Sequence, residues 1–133
     1  MDVVVEHPDE GVDMAGVHST VGTLVLLAFL GLTVMNVIQL VQRRDFPWAI
    51  MVSRTAALLL VVQWALGFNL LFGESSITPF HYLAALASAG TVALEHGPGY
   101  SEPDPAKRRK IALAATAGTL VLVLVAWSIG MSR

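Results

Sequence analysis

The sequence predicts an all-α integral membrane protein, a four-helix bundle with both termini on the outer, non-cytoplasmic side. Three observations predict it. Four stretches without Lys, Arg, Asp or Glu, at 14–42, 55–73, 75–94 and 111–132, punctuate the 133 residues; each can cross a hydrocarbon core of about 30 Å at about 1.5 Å per residue. With 55% hydrophobic and 14% charged residues and a mean hydropathy of +0.67, the chain has too little polar surface to cover a soluble domain of this size. Finally, seven of the eight Lys and Arg residues flank two connections, Arg43, Arg44 and Arg54 the first and Lys107, Arg108, Arg109 and Lys110 the third. The positive-inside bias puts those connections in the cytoplasm of a multi-pass cell-membrane protein.

The first helix is expected at 14–42. The tail before it is acidic (Asp2, Glu6, Asp9, Glu10, Asp13) and lacks the basic segment of a signal peptide, so this helix is expected to be retained. Helix two is expected at 47–72, with Asp45 as N-cap, Pro47 in the first turn and Trp48 at the inner interface. It ends at Phe72-Gly73, and a short outer loop at Glu74 leads to Thr78-Pro79, which reads as N-cap and first residue of helix three, at 79–95. Helices two and three should then form a tight antiparallel pair. The segment 96–110, with Gly97, Pro98, Gly99, Pro103, Asp104 and Pro105, reads as the only real loop. Helix four, at 110–131, closes a single domain of 1–133 with Trp127 near the outer interface; no internal repeat is visible.

Several chemistries are excluded. There is no cysteine, hence no disulfide and no thiolate metal site. No phosphate-binding glycine loop, nucleophile with a base or nucleic-acid motif is present, so no catalytic residue is assigned and nucleic acid is not a partner.

His18 and His81 are the residues that ask for an explanation. His18 lies four residues into the first charge-free stretch and His81 in the first turn of helix three, so both sit roughly 5 Å below the outer edge at about 1.5 Å per residue. An imidazole inside a membrane is costly unless it faces the bundle interior and has a partner. Two at one depth on separate helices suit the axial positions of a low-spin haem, which takes one imidazole from each side and needs apolar walls. Ala84, Ala85 and Ser88 follow His81 by three, four and seven residues on one face, and Gly22 follows His18 by four, leaving room for a flat ring. The same placement also suits ordinary interfacial histidines, or another ligand such as chlorophyll, copper or a quinone. His7, in the acidic tail, and His96, beside Glu95, are expected to be solvated.

The run Val61-Val62-Gln63-Trp64-Ala65-Leu66-Gly67, an outer loop, and then Pro79-Phe80-His81-Tyr82-Leu83-Ala84-Ala85-Leu86-Ala87 resembles the haem A synthase family. In that family a helix bearing Gln and then Gly precedes one that opens with a haem-ligating His. The separation of His18 and His81, 63 positions, also resembles that of the family's paired ligands. The resemblance covers residues 17–94 and implies a four-helix half that holds haem between histidines at the outer side. Ser19 and Ala15 stand where the family usually has an Arg and a Glu around its histidine, and its outer-loop cysteines are missing. Haem ligation by His18 and His81 is therefore carried over and the family's methyl-oxidising activity is not. Cytochrome b561-type proteins are a second resemblance among four-helix bis-His haem proteins.

Of the other intramembrane polar residues, Gln63 is expected to bond a carbonyl on a neighbouring helix, ahead of a role beside haem or quinone. Asn69, at about the depth of the histidines, suits contact with a haem propionate or an imidazole, and suits ordinary helix packing equally well. Thr20, Thr23, Thr33 and Asn36 should bond their own helix backbone, and Arg54 should snorkel to the inner surface. Gly22, Gly31, Gly90 and Gly118 permit close helix packing, and Gly22, Gly31 and Gly118 offer faces for a homodimer or a larger complex. The function expected is that of a haem b protein in electron transfer at the outer face, with quinol a candidate donor, or a haem-handling oxidoreductase. The alternative is a cofactor-free accessory or assembly subunit of a respiratory or photosynthetic complex.

Overall fold

The structure is a computed structural model that describes residues 12–72 and 78–131. Its elements are α1 (Met14–Gln42), α2 (Ala49–Leu71), α3 (Pro79–Leu94), a π-helical turn (Glu95–Gly99) and α4 (Pro105–Met131). No strand occurs among the described residues. Three helices, α1, α2 and α4, are long and apolar enough to cross a membrane. His7, Gly73 and the Glu74 loop lie outside the described residues.

α1 starts and stops where its flanking charges place it. The Asp13 carboxylate accepts the Gly16 N–H at 3.0 Å, satisfying one of the free donors of the first turn. At the other end Arg43 adopts φ 53°, the left-handed conformation, and its N–H and that of Arg44 close the last turn onto Leu40 and Gln39. Thr20, Thr23 and Thr33 each donate to the carbonyl four residues back, as expected.

Helix α2 begins at Ala49, and Asp45 is not its cap. Its carboxylate instead holds Arg108 and Arg109 of α4, each at 2.9 Å, and so ties the first connection to the base of α4. Partial burial pushes the Asp45 carboxyl up, but hydrogen bonds and charge from Arg109 and Arg108 outweigh that and hold it below its ordinary value. Thr78 and Pro79 do open α3 as cap and first turn.

The segment expected to be the one real loop is mostly helical. After Leu94 the backbone widens into the π turn, residues 100–101 remain helical, and α4 starts at Pro105, five residues earlier than expected. Pro98 explains the widening. In an α-helix its ring would strike the carbonyl of Leu94, and a wider turn relieves that clash. Gly99 allows close approach to α4, because a Cβ there would lie 3.1 Å from the Leu94 oxygen and 3.2 Å from Ile111.

The helices pack in the order α2–α1–α4–α3. α1 packs on both α2 and α4, and α3 on α4, while α2 and α3 share no comparable interface. The expected tight pair of helices two and three is therefore absent, and the ring of helices is open between them. Val25, Phe29, Leu32 and Met35 of α1, Ala56 and Leu60 of α2 and Val123 of α4 form the core. Leucines and valines such as Leu24, Leu27, Leu30, Val34, Leu58 and Val121 cover the outside, as expected for helices that face lipid.

Polar contacts across the helices supplement this packing. Asn36 reaches from α1 to Thr116 of α4 (3.1 Å) and accepts from Gln39 (3.0 Å), so it does not simply bond its own backbone. Thr91 and Thr119 join α3 to α4 at 2.7 Å. Each such bond is worth roughly 0.6–1.7 kcal/mol in lipid. Among the glycines, a Cβ on Gly118 would meet Thr91 and one on Gly22 would meet Gln63, so both are used inside the bundle; Gly31 and Gly90 face open space.

Candidate functional site: an apolar cavity between two histidines

The end of the bundle where α1 starts and α4 ends encloses a cavity of about 400 Å³, lined by all four helices. Its position follows from the packing. α2 and α3 do not pack closely on each other, and the interior stays open between them at this end. Exposed Phe68 of α2 and Leu86 of α3 lie among its lining residues.

His18 from α1 and His81 from α3 both line this cavity, with ring centres 6.2 Å apart and planes inclined by 57°. His81 Nδ1 lies 2.9 Å from the carbonyl of Ala126 on α4. A carbonyl can only accept, so Nδ1 carries the proton and Nε2 keeps its lone pair. This is the arrangement in which an imidazole is held ready for a metal ion. His18 differs, because its Nε2 lies 3.2 Å from the amide Nε2 of Gln63, which donates to it.

A glycine makes room for the His18 ring, while Gly130 only borders that of His81. A Cβ on Gly67 would lie 3.2 Å from His18 Cε1, and one on Gly130 would lie 3.9 Å from His81 Cε1. Of six buried polar side-chain atoms without a partner among the described residues, two, the Tyr100 hydroxyl and Arg109 Nε, belong to the opposite end of the bundle, and four are His18 Nδ1, Gln63 Oε1, Trp64 Nε1 and the Tyr82 hydroxyl. All four residues line the cavity. Orphaned buried polar atoms cost about 1–3 kcal/mol each, and their concentration around one cavity marks it as a place for a ligand with polar groups of its own.

Of the residues expected at the site, the cavity brings together His18, Gly22, His81, Ala85 and Ser88. Ala84 is buried but does not line it, and Asn69 is exposed on α2. The residue that sequence reasoning undervalued is Gln63, expected to bond a backbone carbonyl and found on His18 instead. The signal was its spacing. Leu60, Gln63, Trp64 and Gly67 follow at three and four residues, so they share one face of α2. Asn69 is six positions from Gln63, roughly 240° around the helix at about 100° per residue.

The opposite end of the bundle holds a smaller, more polar cavity of about 260 Å³, lined by Asn36, Gln39, Ser53, Glu95, Tyr100 and Arg109 among others. His96, expected to be solvated, is half-buried there against Tyr100, and Glu95 is buried. Among the described residues no group of three or more His, Cys, Asp or Glu side chains could hold a metal ion. A two-histidine site lies below that number. No protein-family model, curated protein or solved structure matches the chain.

Proposed function

We propose that this chain is a membrane haem protein that holds one b-type haem between His18 and His81 and serves electron transfer near the outer face. The observation that supports the reading is a pair of imidazoles 6.2 Å apart in an apolar cavity, one of them anchored through Nδ1 with Nε2 free. Ring centres 6.2 Å apart would leave room for an ion about 2 Å from one nitrogen of each ring. The residues present fit that arrangement.

When bound, the haem supplies one-electron redox chemistry whose potential follows its axial ligands and burial. The chain's residues do the rest. Ala126 fixes the tautomer and direction of His81, and Gly67 keeps a side chain off the His18 ring. Gly22, Ala85 and Ser88 line the walls, and the indole N–H of Trp64 and the hydroxyl of Tyr82 are donors without partners for a ligand's acidic substituents. The gap between α2 and α3 gives a quinol dissolved in the bilayer a route to the cavity. The basic residues of the first and third connections favour an inner location for that end, with α3 completing a fourth crossing and both termini outside. The resemblance to the haem A synthase family supports haem as the ligand. Gly31, open to its surroundings, is the face we propose for a second copy or a partner helix.

The test is a haem titration of the purified apoprotein in detergent, followed by visible absorption. The reading requires saturation at one haem per chain with a low-spin spectrum. A second reading, a cofactor-free accessory subunit of a membrane complex, is favoured by the Gln63–His18 bond, which gives one imidazole a partner without any metal. It requires that the titration show no saturable uptake.

A further inference from the structure

We propose that Glu95 is a proton-loading carboxyl, supplied from the basic end of the bundle by His96 through the hydroxyl of Ser53. The proposal does not depend on bound haem. It rests on a cluster at the far end of the molecule from the His18–His81 cavity, where the π turn begins. Glu95 is 3% exposed and Ser53, on α2, is also 3% exposed. The Ser53 hydroxyl donates to Glu95 Oε1 at 2.6 Å, and the same oxygen lies 3.3 Å from Nε2 of His96. One hydroxyl thus bridges a buried acid and a half-buried base.

Apart from His96, the groups around Glu95 leave it without a counter-ion. Arg108 and Arg109 of α4 line the same cavity, but both give terminal nitrogens to Asp45 of the first connection. Tyr100, on the turn itself, contributes a phenol, and Asn36 and Gln39 of α1 are neutral. Arg54 of α2 is exposed and acts on His96 and Tyr100. A carboxylate cut off from water with a single serine donor is costly, so gaining a proton relieves the site.

The bridge is complete in both proton states, because serine has one proton to give and an oxygen that accepts. With Glu95 ionised, His96 Nε2–H donates to the Ser53 oxygen while the Ser53 hydroxyl donates to Glu95. With Glu95 neutral, the acid proton donates to the Ser53 oxygen while the hydroxyl donates to the Nε2 lone pair. Conversion moves two protons one step each. The Nε2 proton of an imidazolium passes to Ser53 as the Ser53 proton passes to Glu95. An ion pair becomes two neutral groups, and His96 keeps its Nδ1 proton until solvent restores the second one. No hydrogen bond is lost between the two states, which is what a relay needs to transfer quickly.

The experiment is a pH-jump infrared measurement on the full chain in lipid nanodiscs, following the protonated-carboxyl band assigned by its loss in Glu95→Gln. Ser53→Ala and His96→Phe should each slow the rise of that band by about a hundredfold or more, the low end of what positioned proton transfer contributes. Ser53→Thr, which keeps the hydroxyl, should stay within about twofold of the wild type and separates loss of the relay from loss of the fold. Equal rates in the wild type, Ser53→Ala and His96→Phe would overturn the proposal. So would a Ser53→Thr protein as slow as Ser53→Ala, or a wild type with no Glu95 band at any pH.

Discussion

Replacing Gln63 by leucine should tighten haem binding, a counterintuitive result for removal of a polar residue from a binding cavity. The reason is competition for one lone pair. Gln63 donates to His18 Nε2 at 3.2 Å, and Nε2 is the nitrogen farther from the His18 backbone, where a macrocycle has room. A lone pair cannot serve an amide and an iron together, so ligation must break the bond. Hydrogen bonds between helices in lipid are worth roughly 0.6–1.7 kcal/mol. At about 1.4 kcal/mol per tenfold, Gln63→Leu should raise haem affinity roughly 3- to 16-fold. Leucine is shorter, so it adds no contact with Gly22, where the Gln63 amide now rests. The assay is a competition titration in detergent, in which wild type and variant share limiting haem and are separated before spectroscopy. A lower affinity for Gln63→Leu would refute the reasoning. It would mean that His18 ligates through Nδ1, now buried and unpartnered, and that Gln63 turns its oxygen to accept from Nε2–H.

Three further outcomes follow from the rest of the structure. The depressed carboxyl of Asp45 contributes stability that is fully present above its unfolded value of about 3.9 and is lost as pH falls through the lower folded value. The melting-temperature advantage of the wild type over Asp45→Asn should therefore hold from pH 8 to 5, begin to decline near about pH 4 and vanish once the pH is below the folded value; an advantage that persists in still stronger acid would show that charge is not its source. Arg43→Gly should stabilise the protein by about 1 kcal/mol, read as a higher midpoint in denaturant, because Arg43 adopts a left-handed conformation that glycine reaches without strain. Tags at the two termini should be accessible on intact cells and one inserted between Glu102 and Asp104 should not; the reverse pattern would overturn the proposed orientation.

Much of the helical frame was legible because charge marks its edges. Asp13 and Arg43 bracket the first charge-free stretch, and α1 begins and ends beside them. Thr78-Pro79 opened α3 for a local reason, since proline at the first position has no N–H to satisfy. What was not legible depended on partners distant in sequence. Asp45 has the right chemistry for a cap and the right position, but Arg108 and Arg109, more than 60 residues later, compete for it and win. Asn36 was similarly drawn off its own helix by Thr116. The Gly97-Pro98-Gly99 run reads as a helix breaker, yet a wider turn accommodates it, and that is why the helical path runs past Glu95 and brings it against Ser53. Within the site, depth identified the two histidines, because depth is set by counting residues along each helix. Rotation about the helix axis separated Gln63 from Asn69, and depth is silent about rotation.

The central claim, that His18 and His81 share one haem, is tested most directly by visible absorption of the purified wild type beside His18→Ala, His81→Ala and the double variant. The account predicts a low-spin bis-imidazole spectrum in the wild type, its loss in each single variant, and a double variant little worse than either, since the second change removes a bond already gone. A wild type that carries no haem, or a low-spin spectrum that survives either single substitution, would contradict it.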